Sequence, residues 1–347
     1  MVKRTEPIKV LVVDDSAVMR NILTQILNDD AAIRVVGIAR NGQDALQKLS
    51  RLSPDVVTMD VEMPVMDGLT AVKKIMAVNP VPVIMLSGLT ARGTRETIEA
   101  LEAGAVDFIT KPAPGAGVED LASTLTTKVK GAASAAVQKC TSGGRQDVIP
   151  VRSYSQTGLF SVVIIGTSTG GPSALQQVIP KFPRTFSVPI IVVQHMPPGF
   201  TGPLAERLDK SSELKVKEAA NGDEVMRGTV LVAPAGKQLL LEKNAGTVKI
   251  LLKDNVNYQT LFKPSVDVTM TSAANTFQSR TLGVILTGMG NDGTQGATLI
   301  KEKGGTVIAQ DEESCVVYGM PRAVFEAGQT NAVFPLVKIS QEVIRLV

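Results

Sequence analysis

The chain has 347 residues, 44% hydrophobic and 20% charged, with a formal net charge of +3 at neutral pH. That length favours two domains over one small core, and the composition excludes wholesale disorder. Residues 1–111 carry 13 basic and 14 acidic groups and residues 159–347 carry 18 and 16, so neither half has the basic footprint needed to bind a polyanionic duplex.

The N-terminus opens with basic residues, but its apolar run ends at Asp14 and Asp15. A signal peptide would need a longer apolar core and a small-residue cleavage site. No apolar stretch reaches the ~18 residues of a spanning helix. A cytoplasmic protein without membrane insertion is expected.

Ile8–Val13, Ile33–Ala39, Val56–Met59, Val83–Ser87 and Val106–Ile109 read as buried strands bounded by turn residues. Helical spacing lies between them, with Val18, Ile22 and Ile26 as the apolar row of the first helix. A last helix is predicted from about Val118 to Ala136, with Val118, Leu121, Leu125 and Val129 on one face. Alternating segments of this size imply an α/β fold with a doubly wound parallel sheet.

Ligands in such sheets collect outside the carboxyl ends of the strands. Asp14 and Asp15 end the first strand, Asp60 ends the third, Ser87 ends the fourth, and Lys111 follows the fifth. Carboxylates converging in one crevice raise each other's pKa, and a divalent cation relieves the repulsion. Mg²⁺ suits the task, since it takes a few carboxylates plus waters and phosphate oxygens. An ionised Asp beside a cation and a Lys is a nucleophile toward a phosphoryl donor. Any single Asp here reads equally well as a helix cap or a surface charge.

With Asp60-Val61-Glu62-Met63-Pro64-Val65-Met66-Asp67-Gly68 added, the set resembles the response-regulator receiver family over roughly residues 7–130. The resemblance implies a flavodoxin-like sheet, Asp60 as the phosphoryl acceptor, and Mg²⁺ held by Asp14, Asp15 and Asp60. It also implies that Ser87 and Lys111 contact the phosphoryl group and that Phe108 is the aromatic switch residue.

In residues 137–158, eleven of 22 are Gly, Ser, Thr or Gln, and Tyr154 is the only aromatic. Such a segment buries too little apolar area to offset its ordering entropy. The expected division is a first domain over 1–136, a flexible linker over 137–158 and a second domain over 159–347. Cys140 lies in that linker and Cys315 in the second domain, so a structural disulfide is not expected and a reducing compartment fits. Two cysteines and one histidine also argue against structural zinc.

A second α/β series follows. Strands are expected at Ser161–Ile165, Pro189–Gln194, Thr229–Ala233, Leu282–Leu286 and Thr306–Ala309. Helices are expected near 170–180, 201–212, 264–277, 293–303 and 320–327. Leu239–Leu252 has a hairpin pattern turning at Asn244-Ala245-Gly246. The second half therefore reads as another doubly wound, Rossmann-like sheet with a small antiparallel insertion.

Gly166-Thr167-Ser168-Thr169-Gly170-Gly171 follows the first of these strands. A dinucleotide loop has different glycine spacing and needs an acidic residue downstream, yet no Asp or Glu occurs from Gly166 through Ala205. A P-loop needs a Gly-Lys-Ser/Thr ending, and Gly171-Pro172-Ser173 lacks the lysine. The match is G-x-S-x-G, a strand–turn–helix context that exposes a serine nucleophile. On this motif alone, Ser168 as nucleophile and Ser168 as helix cap both stand.

His195, the single histidine, falls at the end of the next strand, on the same sheet edge. Imidazole is the side chain suited to take a proton from serine near neutral pH. A third loop, Thr287-Gly288-Met289-Gly290-Asn291-Asp292-Gly293, adds the carboxylate that holds an imidazole tautomer. Its glycines let backbone N–H groups approach an oxyanion.

Those loops, with Gln194-His195-Met196-Pro197-Pro198-Gly199-Phe200 and Tyr318-Gly319-Met320-Pro321, resemble the CheB methylesterase family over about residues 160–345. The resemblance implies Ser168 as nucleophile, His195 as general base and Asp292 as orienting carboxylate. The Met289 amide, with Thr169, is the implied oxyanion donor. It further implies phosphorylation-activated removal of methyl groups from glutamate esters, and deamidation of glutamines, in chemotaxis adaptation. The implied partners are methyl-accepting chemoreceptors as substrate and a sensor histidine kinase of the chemotaxis type as phosphodonor, with no cofactor for the ester reaction. A different class would be a response regulator whose second half only binds a nucleotide or a protein, with Ser168 as a turn residue. A DNA-binding output has no helix-turn-helix signature to support it.

Overall fold

The β-branched runs bounded by turn residues become the strands of two parallel sheets, one in each of the units Met1–Thr141 and Ser142–Val347. The computed structural model describes residues 6–88, 90–112, 119–134, 160–244, 246–256 and 260–347. The linker expected over 137–158 lies outside the described residues.

In the first unit, β1 (Ile8–Val13), β2 (Ile33–Ala39), β3 (Val56–Asp60), β4 (Val83–Ser87) and β5 (Asp107–Thr110) form an all-parallel sheet in the order β2-β1-β3-β4-β5. This is the flavodoxin-like order. Every residue of β3 and β4 is buried, which is why both read as continuous rather than alternating apolar runs. The helices are α1 (Ala17–Asn28), α2 (Gly42–Leu52), α3 (Gly68–Val78), α4 (Ala91–Glu102) and α5 (Glu119–Ala133). In α5 the expected row Leu121, Leu125 and Val129 is buried; Val118 lies outside the described residues.

The helical spacing at Val18, Ile22 and Ile26 does give a helix, but this row is not its buried face. Val18 is 68% exposed, and the buried positions are Leu23 and Leu27. The helix carries two overlapping apolar rows, Val18-Ile22-Ile26 and Met19-Leu23-Leu27. The turn after β1 decides between them. Ser16 N–H donates to Asp14 Oδ1, and Ser16 Oγ accepts from Met19 N–H as N-cap. That pins the rotation of the helix so that its leucines face the sheet.

In the second unit, β6 (Val162–Thr167), β7 (Ile190–Gln194), β8 (Lys215–Glu218), β9 (Thr229–Val232), β12 (Thr281–Ile285), β13 (Thr306–Gln310) and β14 (Ala332–Phe334) form a seven-stranded parallel sheet. Its order is β14-β13-β12-β6-β7-β9-β8. The expected antiparallel insertion is the hairpin β10 (Gln238–Asn244) and β11 (Thr247–Lys253), whose Leu239, Leu241 and Ile250 join the core beside Ile164, Ile191 and Met270. The helices are α6 (Gly171–Val178), α7 (Thr201–Ser211), α8 (Val266–Phe277), α9 (Thr294–Glu302), α10 (Met320–Glu326) and α11 (Leu336–Leu346).

Sequence reasoning missed β8, β14 and α11. The two strands are the sheet's edges, three or four residues long, and β8 buries only Val216. Short charged edges carry little pattern. Helix α11 did carry one: Leu336, Ile339, Val343 and Leu346 are its buried positions.

Candidate active sites at the two sheet switch points

In both sheets the chain reverses its direction of travel at one strand, and the crevice there opens at the carboxyl ends of neighbouring strands. In the first sheet, β1 and β3 are neighbours, and their ends carry Asp14 and Asp60. Single ligand oxygens of Asp14, Asp15 and Asp60 all lie within 4.8 Å of one another. Lys111 Nζ sits 2.8 Å from Asp14 Oδ2 and 2.8 Å from Asp60 Oδ2. Asp14 and Asp60 are buried. Burial pushes the Asp60 carboxyl up to about 6; the Lys111 ammonium works against this, and the Asp14 and Asp15 charges add to it.

The donor set fits Mg²⁺. It offers three hard oxygen ligands, one of them the exposed Asp15. Asp14 Oδ2 is buried, and among the described residues Lys111 Nζ is the cation that meets it, leaving room for a further hard cation. The Asp67-Gly68 turn packs on this site closely: a Cβ at Gly68 would lie 2.1 Å from the Asp60 carbonyl oxygen. Asp67 itself caps α3 by accepting from Thr70 N–H, and stays out of the acidic cluster.

Ser87 and Lys111 are joined through their backbones, Lys111 N–H donating to Ser87 O at 2.8 Å. The Ser87 hydroxyl is buried, 2.8 Å from Thr97 Oγ1 and 3.0 Å from the Gly88 carbonyl. Phe108 is buried at the same edge, with Lys128 Nζ 5.6 Å from its ring centre.

In the second sheet β6 is flanked by β7 and β12, and the three loops after these strands carry Ser168, His195 and Asp292. Backbone bonds zip them together: His195 N–H donates to Thr167 O and Ser168 N–H to Thr287 O, both at 3.1 Å. Helix α6 is capped by Gly170 in the left-handed conformation with no side-chain cap, so Ser168 is not its cap. Gln194 ties the nucleophile loop to the histidine loop, its Nε2 donating to Ser168 O at 2.9 Å and to His195 O at 3.0 Å. This packing leaves room only for glycine at 171, where a Cβ would lie 2.0 Å from Gln194 Oε1. Gly288 presses on Ser168 in the same way, since a Cβ there would meet Ser168 Cβ at 2.8 Å and Met320 Sδ at 2.4 Å.

His195 Nε2 lies 2.7 Å from Asp292 Oδ2. Its other nitrogen, Nδ1, is buried and has no partner among the described residues; no hydrogen bond joins it to Ser168. Such catalytic contacts are often long until substrate binds. The Met289 amide has no partner among the described residues, while Gly288 O accepts from Gly319 and Met320 N–H. Thr169 is buried, its carbonyl accepting from Thr287 Oγ1.

Asp292 is the best-solvated carboxylate in the chemical sense, though it is buried. Ser265 Oγ and Asp267 N–H donate to Oδ1 at 2.9 Å, and Val266 N–H donates to Oδ2 at 2.7 Å. These donors are the N-terminus of α8, where the helix dipole favours negative charge. Burial alone would raise the Asp292 pKa, but His195 and the amides of Asp267 and Val266 outweigh it and hold the carboxyl below its ordinary value. Nearby Asp267 goes the other way: burial, with the Asp292 charge, pushes it up to about 6 although Gly296 N–H donates to it.

Four residues of this site escaped the sequence reading: Ser265, Asp267, Gln238 and Phe262. The Phe262 ring stacks on the His195 imidazole, with centroids 4.1 Å apart and planes 7° from parallel. The signal for Ser265 and Asp267 was present, a serine cap followed by an acidic first turn. Nothing local marks Gln238 or Phe262. Cys315 is a free, buried thiol whose pKa burial pushes up, the opposite of a reactive cysteine. Among the described residues, no helix is long and apolar enough to cross a membrane.

Comparisons with known proteins cover both units. Residues 163–343 match the model of the CheB methylesterase family, and residues 10–122 match that of the response regulator receiver domain. The protein-glutamate methylesterase/protein-glutamine glutaminase of Moorella thermoacetica is 44% identical, over 98% of this chain and 98% of its own length. That of Archaeoglobus fulgidus is 46% identical, over 97% of each. The crystal structure of the Thermotoga maritima CheB methylesterase catalytic domain superposes with a TM-score of 0.53 at 50% identity, covering 54% of this chain and 99% of that one. The chain belongs to the CheB methylesterase family, with a response regulator receiver domain preceding the esterase domain.

Proposed function

We propose that Ser168, His195 and Asp292 hydrolyse methyl esters of glutamate side chains, and deamidate certain glutamines, on methyl-accepting chemoreceptors. The observation that carries this reading is the His195–Asp292 pair, 2.7 Å apart, at the sheet edge where Ser168 sits on the strand–turn–helix loop without serving as the helix cap. The Nε2 contact with Asp292 assigns the proton to Nε2 and leaves Nδ1 as the base. Ser168 Oγ attacks the ester carbonyl as Nδ1 takes its proton. The oxyanion forms against the Met289 amide, with Thr169 as second donor. Collapse expels methoxide, which leaves as methanol with the proton from Nδ1. Water, deprotonated at the same nitrogen, then cleaves the acyl-enzyme to free glutamate and serine; with glutamine the leaving group is ammonia.

In the receiver, residues 1–136 by this reading, Asp60 is the phosphoryl acceptor, and Lys111 and Ser87 contact the incoming group. Asp14, Asp15 and Asp60 would hold Mg²⁺, which when bound neutralises charge on the acceptor and on the transferring phosphoryl oxygens. A chemotaxis-type sensor histidine kinase is the donor, and phosphorylation raises esterase turnover. Residues 137–158 act as linker, residues 159–347 as esterase, and the cytoplasm is the site of action. The test is methanol release from methylated receptors, with and without a small phosphodonor and Mg²⁺. Phosphodonor should accelerate the wild type and leave Asp60→Asn unchanged; equal acceleration of both would remove Asp60 from the scheme.

A further inference from the structure

We infer that Phe262 is a positioning residue for His195: its ring holds the face of the imidazole while the same chain segment holds the imidazole's carboxylate partner. The inference rests on the reading of His195 as general base. The stack is close and nearly parallel, 4.1 Å between centroids and 7° between planes. A hydrogen bond to Asp292 at Nε2 fixes one point of the ring and leaves rotation about that contact open. A flat aromatic surface against the ring removes that freedom. Nδ1, buried and without a partner among the described residues, is then aimed by two restraints rather than one.

Phe262 is itself held, although it is 37% exposed. Gln238, buried at the start of β10, donates from Nε2 to Phe262 O at 2.7 Å and accepts at Oε1 from Ser265 N–H at 2.9 Å. Phe262 N–H donates to Thr260 Oγ1 at 3.1 Å, and Lys263 O accepts from Gly236 N–H at 3.0 Å. Three residues beyond Phe262, Ser265, Val266 and Asp267 supply the donors to Asp292. One stretch of eight residues, 260–267, therefore sets the plane of the base and the position of its partner together. The hairpin insertion is what brings Gln238 to that stretch.

The chain has a single histidine, so the imidazole C–H resonances of the full-length protein can be assigned to it without ambiguity. A parallel ring at this distance shields them, so they lie upfield of a free imidazole. Phe262→Leu keeps an apolar side chain and the backbone bonds but removes the ring; Phe262→Tyr keeps the ring. The Leu variant should lose the upfield displacement and lose roughly 10- to 100-fold in kcat with little change in KM, as misplaced catalytic groups do. It should also react more slowly with a small serine-directed phosphonate, which has no receptor to dock. The Tyr variant should restore all three readouts. His195→Gln separates the two readings: if it retains activity, the base assignment fails, whatever Phe262 does. If it is inactive but Phe262→Leu keeps the wild-type kcat and phosphonate rate, the positioning role is wrong. If Phe262→Leu raises KM alone, the ring contacts substrate instead, and the inference is overturned.

Discussion

The two crevices share an architecture and differ in how they treat a buried carboxylate. Asp60 and Asp292 both sit at the carboxyl edge of a parallel sheet, and burial acts on both in the same direction. Asp60 is met by Lys111 and by two further acids, and its pKa rises to about 6. Asp292 is met by a hydroxyl, backbone amides and an imidazole, and its pKa falls below the ordinary value. The difference teaches that donors, not depth, decide the state of a buried acid. In the esterase crevice the carboxylate–imidazole pair is already formed, with its charge satisfied by the α8 N-terminus. The receiver crevice is under-supplied with positive charge, which suits the cation and phosphoryl group proposed for it.

If the esterase crevice carries its charge already satisfied, deletion of any member of the proposed triad should be severe for turnover and should leave folding intact. Ser168→Ala should lower turnover on the order of 10⁶-fold, by analogy with other serine triads; methanol release from a methylated receptor measures it, and near-normal turnover by a folded mutant would name the wrong nucleophile. Asp292→Asn keeps the shape but offers an N–H where His195 needs an acceptor, and should cost about 10⁴-fold in kcat through the wrong tautomer. A loss of less than tenfold would show that the well-solvated carboxylate is structural. Gly288→Ala tests geometry alone, because its methyl group would push on Ser168 and Met320. A displacement of the nucleophile by a fraction of an ångström to one ångström predicts roughly a 10²-fold fall in kcat, measured where the variant is fully folded, since the buried clash also lowers its unfolding midpoint.

The smallest effect tests the receiver side of the comparison. A carboxyl whose folded pKa is raised contributes stability that is complete below its unfolded value of 3.8 and is lost as pH rises through about 6. At pH 7 and without Mg²⁺, Asp60 is therefore a net burden, and Asp60→Asn should stabilise the receiver unit by on the order of 1–3 kcal/mol. The gain should shrink as the pH drops below about 6 and disappear near 4. Denaturant unfolding of the metal-free full-length chain at several pH values measures it. A destabilised Asn variant at pH 7 would show that the Lys111 ion pair outweighs the burial.

Much of this was legible in the chain. The ten parallel strands expected from periodicity stand within a residue or two of their observed bounds, because most are continuous β-branched runs, and the hairpin stands where its turn residues put it. Ser168, His195 and Asp292 were recognisable because each sits where a strand ends and a glycine-containing loop begins. Edge strands β8 and β14 were not, because four and three residues with one buried position each carry no readable period. In α1 the spacing predicted the helix but not its buried face, because two apolar rows compete there.

By itself the sequence determined which residues end strands, hence which side chains can meet at a sheet edge, since strand and turn propensities are local and the parallel βα rhythm points every such end the same way. Only the tertiary structure decided how those side chains are held. Gln238 reaches Phe262 and Ser265 from a hairpin 24 and 27 residues earlier in the chain. Asp292 takes its donors from a helix start 25 to 27 residues before it. Phe262 finds the face of His195 across 67 positions of sequence. Contacts of that kind leave no periodic trace, because a hydrogen bond or a ring stack constrains one pair of atoms or planes and asks nothing of the residues between.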